Sequence, residues 1–318
     1  MDPVYIGKEK IASLLPMREC IAVMEEMFRS MAKGGITQPL RSLMWLPDRK
    51  GLLGMMPGFA PGLGVMGIKV ISVFHANKNA GYPSHQGVII LFDTEYGEPL
   101  MIFDAFEITA IRTAAASAVA TQLLSRKNSE LLAVIGSGEQ AERHIEAMQL
   151  VRNIKQITIC SRNEDHAKEL SEKLSGKNNI SIHVSKTARE AIGEADIICT
   201  VTSSSQPVIN NEWINDGTHI NAVGTATANA RELDSATIVR AKLFTDCYES
   251  IFNEPGEFLI PKNEGFITND HVKAEIGELL EGTKKGREHE NDVTVFKSLG
   301  MAAEDIFSAW HIYKKLTS

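Results

Sequence analysis

The chain has 318 residues, enough for two domains with proper cores, and its 43% hydrophobic and 23% charged residues are those of an ordinary globular protein. A formal net charge of -7 with no long basic run excludes a nucleic-acid-binding role. Four scattered cysteines (Cys20, Cys160, Cys199, Cys247) without a CxxC exclude a disulfide scaffold or zinc site, and read as reduced thiols of a cytoplasmic protein with no metal. The stretch MDPVYIGKEK lacks the apolar run of a signal peptide, and no run approaches the ~18 apolar residues that span a membrane.

Pro16 to Gly35 reads as an amphipathic helix. Met17, Cys20, Ile21, Met24, Phe28 and Met31 recur at helical spacing, and Gly34-Gly35 stops it. From Leu40 to Leu100 the pattern is strand-like, with short apolar runs GLLGMMPGF, GIKVISVF and GVIILFD between turn residues. Asp104 to Ser125 is a long Ala-rich helix. The rhythm then changes. LLAVI, QITIC, ISIHV, DIICTV, THINAV and AKLFTD are strands separated by helical stretches or loops, the pattern of a parallel sheet covered on both faces. The fold class is therefore α/β, with a Rossmann-type dinucleotide-binding domain expected over residues 128–291. The last segment, VTVFKSLGMAAEDIFSAWHIYKKL, reads as a strand and then a helix with Met301, Ile306, Ala309 and Ile312 roughly on one side. A terminal helix of this kind folds back onto the first domain. The second domain is then a discontinuous α+β unit of residues 1–127 with 292–318.

LLAVIGSGEQAERHIEAM carries Gly136-Ser137-Gly138-Glu139-Gln140-Ala141, a GxGxxA between an apolar strand and a helix. Gly136 permits the tight turn, Gly138 lets the backbone approach a pyrophosphate, and Ala141 allows close helix–strand packing. The helix start then offers free N–H groups to the phosphates. A ligand-free β–α turn can use the same glycines; the strand, turn, helix and second strand in order favour the dinucleotide. At the end of the second strand an NAD site usually places Asp or Glu on the ribose. Here Ser161-Arg162-Asn163 stands, and a guanidinium beside a hydroxyl suits a 2′-phosphate. NADP(H) is expected over NAD(H), which Glu164 and Asp165 keep open.

Three cations outside this domain sit in apolar company: Arg41 in PLRSLMWL, Lys69 in MGIKVISVF and Arg112 in ITAIRTAAASA. A lysine between Ile68 and Val70 is expensive to bury without a partner. Glu107 is five residues from Arg112, too far for an ideal helix pair. Structural ion pairs would satisfy all three, and so would a bound carboxylate. Of the histidines, His85 follows a Pro83 turn and is a candidate site residue, whereas His219 reads as packed core.

With these segments in hand, the sequence resembles the ornithine cyclodeaminase/mu-crystallin family over nearly its whole length. The likeness is carried by PLRSL, GVMGIKV, SHQGVIILFD, ITAIRTAAASA, IGSGEQA, THINAVG, RELD and TVFKSLGMAAED, and the SHQG, GVMGIK and last segments resemble the mu-crystallin branch. The resemblance implies a homodimer, a substrate and dimerisation role for the discontinuous domain, and a cleft where nicotinamide meets a small imino or amino acid. It makes Arg41 and Arg112 the clamp on a substrate carboxylate, with Lys69 at the carboxylate or the nascent amine and able to give a proton. It also places Thr113 at the cofactor phosphates, Val223, Gly224 and Ser298 near the cofactor, and Thr225 near the substrate. Lys297 reads as a surface charge.

Cyclodeaminases and archaeal alanine dehydrogenases carry an aspartate in the loop after THINAVG, serving amine deprotonation or water activation. Counted to the RELD anchor, Ala226 stands there, and Thr225, Thr227 and Asn229 provide no general base near neutral pH. Reduction of a cyclic ketimine asks for less, since the imine can bind already protonated and needs only a placed hydride. The expectation is an NAD(P)H-dependent reductase of cyclic ketimine carboxylates, of the pyrroline-2-carboxylate or piperideine-2-carboxylate type. The alternatives are an ornithine cyclodeaminase, an alanine-dehydrogenase-like enzyme, or a non-catalytic NADPH- and ligand-binding protein.

Overall fold

The structure is a computed structural model, which describes residues 3–74, 77, 81–175 and 180–318. It divides into two compact units, Met1–Thr113 with Gly300–Ser318, and Ala114–Leu299. The first unit opens with β1 (Val4–Ile6), α1 (Lys8–Leu14) and α2 (Met17–Ala32). The strands β2 (Ser42–Trp45), β3 (Leu52–Ala60), β4 (Val65–Val73), β5 (His85–Asp93) and β6 (Pro99–Asp104) follow, and β6 runs into α3 (Ala105–Leu124). Its six-stranded sheet has the order β1-β6-β5-β4-β3-β2, antiparallel except where β1 joins β6. α2 buries Met17, Cys20, Ile21, Met24 and Phe28 of the expected stripe, with Val23 and Met27 beside them, while Met31 is only partly buried. α3 is alanine-rich because it is buried nearly all round, where small side chains let neighbours approach.

The second unit alternates strands and helices. They are β7 (Leu131–Ile135), α4 (Glu139–Val151), β8 (Gln156–Cys160), α5 (Glu164–Leu174), β9 (Ser181–Ser185), α6 (Ala188–Ile192), β10 (Ile197–Thr200), β11 (His219–Ala222), α7 (Ser235–Arg240) and β12 (Lys242–Thr245). Then come α8 (Tyr248–Asn253), α9 (Gly256–Asn263), β13 (Val272–Glu275), α10 (Ile276–Leu280) and β14 (Thr294–Lys297). All eight strands are parallel, in the order β13-β12-β14-β11-β10-β7-β8-β9. Strand order reverses between β7 and β10, and the carboxyl ends there are where such sheets take ligands. The fold is a Rossmann-type α/β unit with a second, mixed unit.

The final helix α11 (Ala302–Thr317) returns to the first unit and packs on α2 and on β3, β4 and β5. Glycines make room for it. A Cβ on Gly58 would lie 2.9 Å from Ile306 Cδ1, and one on Gly67 would lie 3.2 Å from Ile306 Cγ1.

The expected boundaries, 127/128 and 291/292, move to 113/114 and 299/300. α3 is one continuous helix, so its second half packs with the unit that follows. β14, expected beside the terminal helix, hydrogen-bonds between β11 and β12 inside the parallel sheet. Among the described residues no helix is long and apolar enough to cross a membrane, and all four cysteines are free thiols.

Candidate active site

The glycine loop leaves the carboxyl end of β7. Gly136 has φ +129°, and a Cβ there would meet the Val201 carbonyl oxygen at 2.8 Å, so only glycine fits. Gly138 is the N-cap of α4 with no side chain capping the helix, and a Cβ there would meet nothing within 4 Å. The first N–H groups of α4 and the space before them thus fit a pyrophosphate. Ala141 is fully buried against the sheet. Ser137 Oγ donates to Ser161 Oγ at 2.8 Å, tying the loop to the end of β8. Next to it Arg162 is exposed, and the Asn163 side chain caps α5 by accepting from Asp165 N at 3.0 Å. Glu139 pairs with Arg143 one turn on at 3.0 Å, and Gln140 holds His144 Nδ1 through its carbonyl at 2.8 Å. The glycine loop's residues therefore fit a dinucleotide phosphate group.

The segment after β11 is held from beneath by two buried carboxylates. Glu232 accepts from Gly224 N at 2.7 Å, Thr202 N at 2.6 Å and Thr200 Oγ1 at 2.9 Å. Glu257 accepts from Thr225 Oγ1 at 3.0 Å and from Glu232 N at 2.8 Å. Lys297 closes the network, 3.3 Å from Glu257 and donating to the Thr225 carbonyl oxygen at 2.5 Å. Burial pushes the Glu232 carboxyl above its ordinary range, although Lys297 and the Thr202 donors act the other way. Lys297 is not the surface charge that the sequence implied; it is fully buried. Val223 and Ser298 are fixed by backbone bonds to Thr200 and Ala222, at 3.0 and 3.1 Å. The stretch from Val223 to Ala230 carries no acidic side chain of its own, and both carboxylates that reach it are bound to loop donors.

In the first unit, Lys69 lies on the same face of β4 as Gly67 and Ile71, between Met56 of β3 and Ile89 of β5. That face is covered by α11, and Lys69 is buried. Its Nζ meets Asp305 Oδ2 at 2.6 Å. Asp305 Oδ1 accepts from Arg112 Nε at 3.0 Å, and Glu304 Oε2 accepts from Arg112 Nη1. Arg41 Nη2 donates to the Gly300 carbonyl oxygen at 3.1 Å, and a Cβ on Gly300 would fall 2.6 Å from Arg112 Nη1. The start of α11 thus gathers all three isolated cations. Burial lowers the Lys69 pKa to about 8, with Arg112 and Arg41 pushing the same way and Asp305 opposing them. Burial also opposes the charge on Arg112, but Asp305 and Glu304 outweigh it and hold that guanidinium firmly protonated.

Two readings of the cations therefore meet in one place. Lys69 and Arg112 do have structural ion pairs, with residues far along the chain. Arg112 spends Nε and Nη1 on Asp305 and Glu304 of α11. The Lys69 ammonium is held by charge, in an ion pair with Asp305 Oδ2. Thr113 is buried beside Arg112, whereas His85 is exposed, with Ser84 Oγ 3.0 Å from its Nδ1. His219 is core: Nδ1 lies 3.0 Å from Thr294 Oγ1, and burial takes its pKa down to about 3.

Glu304, Asp305, Glu232 and Glu257 were not foreseen. A signal existed for Asp305: it stands four residues after Met301 and four before Ala309, on the apolar stripe of its helix. An acid in the first turn reads more simply as a partner of the helix dipole, which hid it.

A glycine loop at the switch point of a parallel sheet places the chain among the dinucleotide-binding α/β proteins. More narrowly, it belongs to the ornithine cyclodeaminase/mu-crystallin family, which it matches over residues 2–318. It is 36% identical over 313 residues to a Delta(1)-pyrroline-2-carboxylate reductase of Bacillus thuringiensis subsp. konkukian, covering 98% of this chain and 96% of that one. It is 33% identical over 320 residues to the ketimine reductase mu-crystallin of Mus musculus, covering 99% and 98%. The structure of Thermococcus litoralis Delta(1)-pyrroline-2-carboxylate reductase in complex with NADH and L-proline matches with a TM-score of 0.95 at 37% identity, over 98% of this chain and 97% of that one.

Proposed function

We propose that the protein is an NAD(P)H-dependent reductase of cyclic ketimine carboxylates, pyrroline-2-carboxylate or piperideine-2-carboxylate, giving the cyclic L-amino acid. The observation that carries this reading is Lys69. A buried ammonium with a pKa of about 8, beside two guanidinium groups, is suited both to attract a carboxylate and to release a proton near neutral pH. Arg41 and Arg112 orient the substrate carboxylate. Lys69 supplies the imine proton when the ketimine arrives neutral, or steadies the carboxylate when it arrives protonated. The family reading keeps Thr225 as a substrate contact, and its hydroxyl donates to Glu257. A bound nicotinamide would supply the hydride. The family reading keeps Thr113, Val223, Gly224, Ser298 and His85 as further contacts.

The loop after β11 favours reduction over deamination. Cyclodeamination needs a further base, for the second amine, besides the group that exchanges a proton with the reacting nitrogen, and the side chains from Thr225 to Ala230 provide none. The buried carboxylates below are held by backbone N–H groups and a lysine, so they do not substitute for it.

Among cofactors we favour NADP(H), because Arg162 and Ser161 stand where a 2′-phosphate would lie, and NAD(H) remains compatible with the same loop. We assign the first unit the substrate and dimerisation role. Leu43, Met44, Trp45, Phe59 and Met66 are all more than a third exposed, and Phe59 and Met66 line an apolar hollow of about 510 Å³. A second copy is the occupant that the family reading supplies, and the expected compartment is the cytoplasm.

The test is a steady-state screen of cyclic and linear imino acids against NADH and NADPH, with ornithine as control. Cofactor consumption with a five- or six-membered cyclic imino acid, and little ammonia from ornithine, is the expected result. Ornithine converted to proline and ammonia without imine reduction would sink the reading.

A further inference from the structure

Lys69 and Arg112 belong to different elements, a central strand and a buried helix, and neither finds its partner locally. Both find it at Asp305. One carboxylate oxygen takes the ammonium at 2.6 Å, and the other takes the Arg112 Nε at 3.0 Å. Glu304, one residue earlier, holds the same guanidinium at Nη1. We propose that Asp305 is a positioning residue for the reaction, fixing the Lys69 ammonium and the Arg112 guanidinium in one register so that α11 forms part of the substrate-binding machinery.

The physical argument starts from what surrounds Lys69. Its strand neighbours Met56 and Ile89 carry no charge. The ionisable groups facing it are Arg41 from the segment before β2, Arg112 from α3 and Asp305 from α11. Glu304 lies beyond Arg112, and the Cys20 thiol of α2, near Arg112 and Glu304, is pushed up to about 12 by burial and stays neutral. Two like charges and burial all disfavour the ammonium, and Asp305 is the group in direct contact that favours it. Removing its charge therefore lowers the proton affinity of Lys69. A general acid must be protonated to act, so activity falls once pH exceeds the Lys69 pKa, and losing the Asp305 charge moves that fall to lower pH. Asp305 also sets the spacing of the two cations. With its two oxygens turned to two different cations, Asp305 fixes where both charges lie relative to each other, which is the placement that an aligned carboxylate needs.

This inference rests on Lys69 as proton donor, and the experiment separates the two. The titration of Lys69 is followed by NMR of ¹³Cε-labelled lysine in the full-length protein, with Lys69→Arg to assign the resonance. The pH profile of kcat/KM with the cyclic imino acid is measured alongside. In Asp305→Asn the Lys69 pKa and the descending limb should both move down by about one unit or more. Asp305→Glu keeps the charge, so its limb should stay near the wild-type position, while the altered reach raises KM severalfold. Glu304→Gln, which touches Arg112 and not Lys69, should leave the Lys69 titration in place. An unmoved Lys69 titration in folded Asp305→Asn overturns the proposal. If that variant does not fold, an unchanged KM in Asp305→Glu overturns it instead. A titration that moves while the turnover limb does not leaves Asp305 as the partner of Lys69 and rejects Lys69 as the donor.

Discussion

Two charged clusters, buried except at the partly exposed Arg41, stand out among the described residues, one in each unit, and they differ in sign and in purpose. In the first, three cations meet two carboxylates: Arg41, Lys69 and Arg112 around Glu304 and Asp305. In the second, two carboxylates meet one cation: Glu232 and Glu257 with Lys297. The excess in each tells what the cluster faces. In the second unit the carboxylate oxygens accept from the N–H groups of Thr202 and Gly224 and the hydroxyls of Thr200 and Thr225, and Glu257 Oε2 faces the Lys297 ammonium at 3.3 Å. That cluster pins loops. In the first unit positive charge predominates around Asp305, which is what an anionic substrate requires. Burial alone does not mark a functional charge; the balance of partners does.

The comparison breaks most sharply at Lys69. Lys69→Met should lower kcat/KM by roughly 10²–10⁴ fold, the usual weight of a positioned acid, with dinucleotide affinity retained. Steady-state kinetics with cofactor fluorescence titration checks this, and a loss under tenfold would make the first cluster as structural as the second.

The matching change in the second unit has the opposite profile. Lys297→Met strands Glu257 without its cation, and breaking a buried pair from one side costs about 3–5 kcal/mol. Urea unfolding should show the loss directly, and any effect on turnover should follow the fraction folded. A stable Lys297→Met protein with abolished turnover would place Lys297 in the chemistry and erase the distinction.

How far these clusters were legible in the sequence depended on distance along the chain. The glycine loop was readable because its turn, its approach site and its helix are six consecutive residues, Gly136 to Ala141. The cations were conspicuous because each interrupts an apolar run. Their partners were not, since Arg112 and Asp305 are 193 residues apart and no local pattern links them. Lys297 was misread for a related reason. A strand of a doubly covered sheet buries both faces, so alternation does not show which side is wet. β13, whose VKAE alternates polar residues at a sheet edge, escaped notice altogether.

Neutral buried histidines provide a milder contrast to both clusters. His144 gives its Nδ1 proton to the Gln140 carbonyl at 2.8 Å and so accepts from Ser117 Oγ at 2.9 Å through Nε2. Burial lowers its pKa to about 4 from an ordinary 6.5. Between those values the unfolded chain binds a proton that the native protein refuses. The contribution is complete above pH 6.5 and is lost as pH falls toward 4, at up to about 1.4 kcal/mol per pH unit. Urea midpoints at pH 7 and 5 should therefore lie closer together in His144→Gln than in the parent, and an equal spacing would mean that the native imidazole is charged.

The smallest effect is expected at the singled-out cation that is exposed. Arg162 is exposed and stands beside Ser161, whose hydroxyl is tied to the glycine loop. Water screens such a charge, so its removal should leave stability within about 0.5 kcal/mol. Only a ligand group that brings its own charge to that spot should notice the loss. Arg162→Ala should raise KM for NADPH roughly tenfold, the weight of one charge-assisted contact, and leave KM for NADH nearly unchanged. Equal changes for the two cofactors would mean that Arg162 does not meet a 2′-phosphate. The preference would then rest with Ser161 and Asn163, and Asn163 already spends its carbonyl on capping α5. An exposed cation acting only through its ligand would complete the contrast: in this protein a charge reports on function by what it has left to give once its own neighbours are satisfied.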